Sequence, residues 1–245
     1  MTARTSEDRT SEDRTSEDVS TTRVHEALGA VVDPELDEPI TDLGFVHEVR
    51  VDGAHVLVRL RLPTYFCAPN FAYLMVADAH DAVAGMSGVD SAEVRLDEHF
   101  ASEEINAGVA ADAGFAGSFP QQATSELDQL RVTFRRKAHA ACLERACRRL
   151  VDEGWQVEDL PAAHLSDLPE SVERTSLLRR RADIDLPTDE RAPVFVDDDG
   201  NPIAPEQAPV RLRFARAVRV SIDGNAGWCR GLLRTRYPQT QEDGP

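Results

Sequence analysis

Two runs of alternating residues, joined by a single turn, constrain this chain more than any other feature. Phe45, His47, Val49 and Val51 share one face of the first run, and Val56, Val58, Leu60 and Leu62 share one face of the second. A period of two is the strand period, and Asp52-Gly53 between the runs is a strong hairpin signal. The same alternation makes His47 a core histidine. Helical patterns flank the hairpin. Val24, Ala27, Leu28 and Val31 recur at helical spacing, and Pro34 should end that helix, because the residue before a proline is driven out of the helical region. After Pro69, a second helix carries Ala72, Met75, Val76, Ala79 and Val83 on one side and closes at Gly85. Ala92, Val94 and Leu96 then alternate with Glu93 and Arg95 in a third strand. The order α-β-β-α-β over residues 21–100 predicts an α+β domain, a small sheet covered by helices. About 80 residues is close to the lower limit for an adequate core.

The flanks read differently. Arg4–Asp8, Arg9–Asp13 and Arg14–Asp18 are three copies of RTSED. The unit has no apolar residue to offset the entropy of ordering, so residues 1–20 are expected to be a disordered acidic tail. Residues 101–123, rich in Ala, Gly and Ser, read as a linker or loosely packed arm. Residues 124–154 predict a long basic helix, opened by Ser125-x-x-Asp128 and ended at Gly154. Residues 155–245 read as loop-rich and β-containing. Asp198-Asp199-Gly200-Asn201 is a turn signal, Val210, Leu212 and Phe214 alternate with Arg211 and Arg213, and Val218, Val220 and Ile222 repeat the habit.

Charge and composition narrow the function. The 245 residues carry 27 Lys+Arg against 44 Asp+Glu, a net −17. Phosphates repel such a chain, so neither nucleic acid nor an anionic membrane is an expected partner. No apolar run approaches the ~18–20 residues of a membrane span. The first twenty residues hold no apolar stretch of the secretory kind. Cys67, Cys142, Cys147 and Cys229 form no C-x-x-C pair and are expected to be reduced thiols of a cytoplasmic protein. Arg131, Arg135, Arg136, Lys137, Arg145, Arg148 and Arg149 concentrate positive charge on the long helix. They either dock an acidic client or neutralise the chain's own acidic domain, the second being favoured. Arg179-Arg180-Arg181 extends the theme in an expected loop. No P-loop, dinucleotide fingerprint or hydrolase triad is present.

Chemistry concentrates at Cys67, in Pro63-Thr64-Tyr65-Phe66-Cys67-Ala68-Pro69. A thiol just before a helix N-terminus feels the positive end of the dipole, which favours the thiolate that attacks or binds metal. The alternative is a small buried hydrophobe. Asp33-Pro34-Glu35 and Asp42 form an acidic loop that either tunes the thiol and helps hold a cation, or is turn chemistry alone. His99, at a strand end, is a candidate ligand or an ordinary exposed imidazole. Cys142 and Cys147 lie five helical positions apart and point about 140° away from each other, so they do not share one ion. Asp223-Gly224-Asn225-Ala226-Gly227-Trp228-Cys229-Arg230 reads either as a second thiol site at Cys229 or as a hairpin turn packed under Trp228.

Residues 31–46, VVDPELDEPITDLGFV, with the hairpin, Cys67 and the strand GVDSAEVRL, resemble the MIP18 (DUF59) family of iron–sulfur cluster assembly factors. The resemblance covers residues 21–100. It implies functional roles for Asp33, Pro34, Glu35, Asp42 and Gly44 and marks Cys67 as the signature thiol. Here the sequence departs from the family's Cys-Pro, since Ala68 separates Cys67 from Pro69 and aromatics precede the thiol.

The resemblance implies a non-catalytic auxiliary factor in iron–sulfur cluster assembly or metalloprotein maturation. It would transiently hold iron or a cluster at Cys67, with His99 and Cys229 as weaker candidate ligands. Its expected partners are a client metalloprotein or other assembly factors. A four-ligand cluster exceeds what one thiolate supplies, so a homodimer, a partner or other donors would complete it. Two alternatives stand beside this: an accessory protein of a multicomponent, iron-dependent oxygenase acting by protein binding only, and a thiol-dependent enzyme.

Overall fold

A computed structural model describes residues 19–121 and 127–238. The RTSED repeats and the Ser125 cap lie outside the described residues. The fold is mixed α+β, a small α/β domain followed by a helical region that ends in a long helix.

The first helix, α1 (Thr21–Leu28), is capped by Ser20 and ends at Gly29, five residues before the proline expected to stop it. Val24 and Leu28 are fully buried. The motif loop folds back on itself as a two-residue ladder, β1 (Val32–Asp33) with β2 (Glu38–Pro39). Then β3 (Val46–Asp52) and β4 (His55–Arg61) form the hairpin, with Asp52 opposite His55. The turn residues are Gly53 and Ala54, and Gly53 takes the positive φ of 60° that the turn requires. Helix α2 (Pro69–Ala84) crosses over to β5 (Ser91–Asp97), which pairs in parallel with β4, giving the sheet order β3-β4-β5. The expected faces of β4 and α2 are buried as the alternation required.

His47 is a correction. A register shift between Val46 and Glu48 inserts one extra residue in β3 and turns the His47 side chain to the outer face of the sheet. There its Nε2 meets Asp97 Oδ2 at 2.8 Å, beside Arg59. A one-residue bulge defeats any reading by strict alternation.

The arm at 101–123 is also a correction. Its described part forms α3 (Ser102–Ala110) and α4 (Gly114–Ser118), and Ile105, Val109 and Phe119 are buried in the same core as the sheet. Small residues allow this close packing. At Gly108 a Cβ would collide with Ser118.

The long basic helix is present as α5 (Asp128–Asp152), with Gly154 just beyond it at φ 106°. Several of its arginines pair with the chain's own carboxylates: Arg131 with Asp78 on α2 at 2.7 Å, Arg145 with Asp223, and Arg148 with Glu144 of its own helix. Cys142 and Cys147 are both buried. Arg179-Arg180-Arg181 belongs to the last turn of a helix, α6 (Val172–Ala182), where cations suit the negative helix end, and not to a loop.

The largest correction concerns the C-terminal region. Where short strands and a hairpin turn were expected, residues form one helix, α7 (Ala208–Arg236). Its buried positions are Ala208, Ala215, Ile222, Ala226 and Leu233, spaced seven, seven, four and seven apart, a helical recurrence carried largely by small residues. The conspicuous Val210, Phe214, Val220 and Trp228 face outward. Gly224, Gly227 and Gly231 meet open space and are tolerated inside the helix. The described part of residues 155–207 otherwise consists of α6, isolated bridges and short 3₁₀ turns around a second core built from Leu143, Leu150, Leu177 and Phe195.

Candidate functional site

Cys67 lies between the end of β4 and Ala68, the residue that precedes α2. It is half-buried and packs against the core. The segment is pinned by His99. Nδ1 of His99 accepts from the Ala101 N–H at 3.2 Å, so its Nε2 carries the proton and donates to the Cys67 carbonyl at 2.8 Å. Both ring nitrogens are spent, and burial lowers the affinity of His99 for a second proton. His99 therefore positions the thiol segment: it is neither the exposed imidazole nor, in this geometry, the weak ligand that the sequence allowed.

The acidic motif divides. Asp33 is only 5% exposed, and its Oδ1 accepts from the N–H groups of Glu35 (2.8 Å) and Leu36 (3.0 Å), a turn that Pro34 rigidifies. Burial raises the Asp33 carboxyl to about 6, against the lowering effect of those two N–H groups. The negative charges of Asp33 and Glu35 both raise the proton affinity of the Cys67 thiol. Asp42 is exposed and, among the described residues, accepts a hydrogen bond from the Thr41 hydroxyl at 3.4 Å. Gly44 serves the fold. It sits at φ 77°, and a Cβ there would stand 3.3 Å from Leu233 of α7.

The electrostatics of Cys67 run opposite to the helix-start expectation. Burial first, then the negative charges of Asp33, Cys229 and Glu35, push the thiol up to about 12, against one favourable hydrogen bond from the Ala68 N–H. The helix end is close, but lateral neighbours outweigh it. At pH 7.5 an alkylating reagent should therefore modify Cys67 more slowly in the folded chain than in urea-denatured chain, read by mass spectrometry of the tryptic peptide. A faster rate when folded would reinstate an activated thiolate.

Two features of the site were not singled out from sequence. Tyr65, Phe66 and Phe100 form an aromatic rim beside the thiol, with Phe66 at 5.0 Å from Tyr65 and 6.1 Å from Phe100 between ring centroids. Phe66 is 77% exposed and the other two nearly half. The aromatics were visible in the sequence, but their clustering depends on Phe100 returning to Tyr65, where its N–H bonds the Tyr65 carbonyl at 3.2 Å. The second feature is α7, which lies across the motif. Asn225 bonds Glu35 at 3.3 Å, Arg230 pairs with Glu38, Arg236 donates to the carbonyls of Leu62 and Glu98, and the Tyr237 hydroxyl donates to Glu98.

Residues 21–96 match the family described as iron-sulfur cluster assembly protein. An uncharacterized protein of Methanocaldococcus jannaschii is 32% identical over 89 residues, which is 36% of this chain and 92% of that protein. The chain belongs to the iron–sulfur cluster assembly protein family. The matched residues contain the motif loop, the hairpin, Cys67 and β5 up to Leu96, whereas His99, Phe100 and α3 to α7 lie beyond them. Among the described residues no helix is long and apolar enough to cross a membrane.

Proposed function

We propose that this iron–sulfur cluster assembly family member is a non-catalytic auxiliary factor. In this reading, Cys67 transiently holds iron or a cluster as cargo and the aromatic rim contacts the client that receives it. Family membership suggests the general role. The observation that carries the finer reading is a half-buried thiol that directly follows the exposed rings of Tyr65 and Phe66, with Phe100 packed against those rings. Exposed aromatic clusters of this kind favour protein contact. Without a cation the thiol keeps its proton, and a soft metal ion displaces that proton on binding. The thiol-enzyme alternative has the least support, because His99 is engaged at both nitrogens.

The test is anaerobic. Full-length chain loaded with iron and sulfide is assayed for both elements and for cluster transfer to an apo-ferredoxin. Cys67→Ser should lose bound iron and sulfide, whereas Phe66→Asp should retain them but transfer more slowly. Equal iron in Cys67→Ser and wild type overturns the cargo role. The contact-only reading, suited to an oxygenase accessory protein, has one observation in its favour: α7 partly covers the thiol's surroundings. It predicts that Phe66→Asp abolishes client binding while Cys67→Ser leaves it intact.

A further inference from the structure

The outward side of α7 has an order of its own. Val210, Phe214, Ala217, Ser221, Gly224 and Trp228 are all exposed, at steps of four, three, four, three and four residues. That alternation is the seam of a coiled coil, where a helix meets another helix through two positions in every seven. Ala208, Ala215, Ile222, Ala226 and Leu233, the buried positions, lie on the opposite side of the same helix. The chain therefore covers one face of α7 and leaves the other bare. Val210, Phe214 and Trp228 are 61%, 53% and 70% exposed, and Val220 beside the seam is 54% exposed. No seam position is charged, and the row runs for about 27 Å at the ordinary helical rise. An uncharged row of this length with large side chains at its ends is the mark of an interaction surface.

The seam is its own complement. Turned end for end about Arg219, it sets Val210 against Trp228, Phe214 against Gly224 and Ala217 against Ser221. These are the layers of an antiparallel helix pair. The layer of Phe214 decides the orientation. A Cβ at Gly224 would meet nothing within 4 Å, so the place is open to a ring arriving from outside. A parallel pair would instead set Phe214 on Phe214 and Gly224 on Gly224. Charge supplies an independent agreement. Glu206, in the turn leading into α7, and Arg234, near its end, are both exposed, and neither makes an ion pair among the described residues. They lie 28 positions apart, four full heptads, and so on one flank of the seam. In the antiparallel register Glu206 of one chain comes level with Arg234 of the other, once at each end, and Val220 meets its own copy at the centre.

We propose that a second copy of this chain covers the outward face of α7, the two helices running antiparallel about a two-fold axis level with Arg219 and Val220. The contact uses residues outside the matched domain and does not depend on the role of Cys67. It is isologous, the same patch serving both chains, and so closes at two. A seam of about 27 Å by a helix width of about 10 Å is at the low end of specific interfaces. The dimer is therefore a reversible one, with a dissociation constant on the order of micromolar.

The test is sedimentation velocity of the full chain under reducing conditions, from about 1 to 100 μM. Wild type should pass from monomer to dimer across that range. Phe214→Asp and Trp228→Asp should each stay monomeric throughout. Gly224→Leu, which fills the place of the incoming ring, should raise the dissociation constant roughly tenfold or more. Glu206→Arg and Arg234→Glu should each raise it about two- to fivefold, the scale of exposed ion pairs, and the double exchange should restore it. Under mild oxidation Val220→Cys should give a disulfide-linked dimer faster than wild type with its own four cysteines. Every substituted position is exposed, and circular dichroism confirms that each variant is folded. A wild type that is monomeric at every concentration overturns the proposal. If Phe214→Asp then also slows cluster transfer to apo-ferredoxin, the face belongs to a client instead. A dimer that survives both Phe214→Asp and Trp228→Asp lies elsewhere on the chain and overturns it equally. A dimer lost in those two variants, yet neither restored by the double exchange nor linked through Val220→Cys, overturns the antiparallel register.

Discussion

Replacing Arg180 by alanine should destabilise the folded chain by about 3–5 kcal/mol at pH 7, the usual cost of leaving one member of a buried pair alone. Arg180 on α6 pairs with Asp37 of the motif loop, with both side chains nearly buried, and also bonds Asp183 at 2.7 Å. Burial raises the Asp37 carboxyl even though the Arg180 guanidinium beside it pulls the other way. Desolvation therefore outweighs pairing on the acid's side, and loss of the cation leaves that penalty unopposed. The sign with pH follows. In the variant Asp37 has a folded-state pKa raised still further above its unfolded value, so the folded state takes up a proton first and stability recovers as pH falls. Urea melts at pH 7 and pH 5 should show the deficit shrinking at the lower pH. A loss below about 0.5 kcal/mol at pH 7, the scale of an ordinary surface change, would mean that the pair is not buried in solution. The pair joins the family domain to a helix outside it, so the same measurement reports how far the two stand or fall together.

The second large effect belongs to His139 on α5. It is fully buried, and neither ring nitrogen has a hydrogen-bond partner among the described residues. Burial first, then the charge of Arg181, pushes its pKa down to about 4 from 6.5. A depressed histidine means that the unfolded chain binds the proton more readily. Its contribution is complete above pH 6.5 and is lost as pH falls toward 4, about 3 kcal/mol in all. His139→Leu removes two unpartnered polar atoms at similar volume, so it should be neutral or stabilising at pH 7. The gap between variant and wild type should then widen as pH falls from 6.5 to 4. Asp33 acts in the opposite sense, because its raised pKa of about 6 makes the folded state the better proton acceptor between that pH and 3.8. Wild-type melts alone would therefore understate the histidine, and the difference between the two proteins isolates it. Parallel stability curves for wild type and His139→Leu across that range would show that His139 finds a partner in solution.

The α-β-β-α-β order was legible because each element declares itself within a few residues: Val56, Val58 and Leu60 by alternation, Ala72 through Val83 by helical recurrence, Gly53 by its turn. The errors share a cause. His47 depended on a bulge that no local pattern announces. Helix α7 was misread because the eye follows Val210, Leu212 and Phe214, while the buried face is written largely in alanine, whose burial depends on what packs against it. The placement of Cys67 before a helix was correct, but its proton affinity depends on Asp33, Glu35 and Cys229, up to 162 positions away in the chain. Local sequence reports the helix end and is silent about what folds over it. The same limit hid the inward pairing of the arginines of α5 in part: their excess was plain, while their partners at Asp78 and Asp223 are tertiary.

Helix α7, about 43 Å long at its ordinary rise, touches the second core at Ala208 and the family domain at Ala226 and Leu233. The unit that similarity delimits and the unit that folds are therefore different objects. A chain trimmed to the matched residues would keep the motif and Cys67 but bare the apolar trough that Ala226, Leu233 and Tyr237 fill. The trimmed piece would expose that apolar surface and should associate with itself. The C-terminal helix is part of the wall of the matched domain, so a substitution on either side of that contact must be accommodated by both.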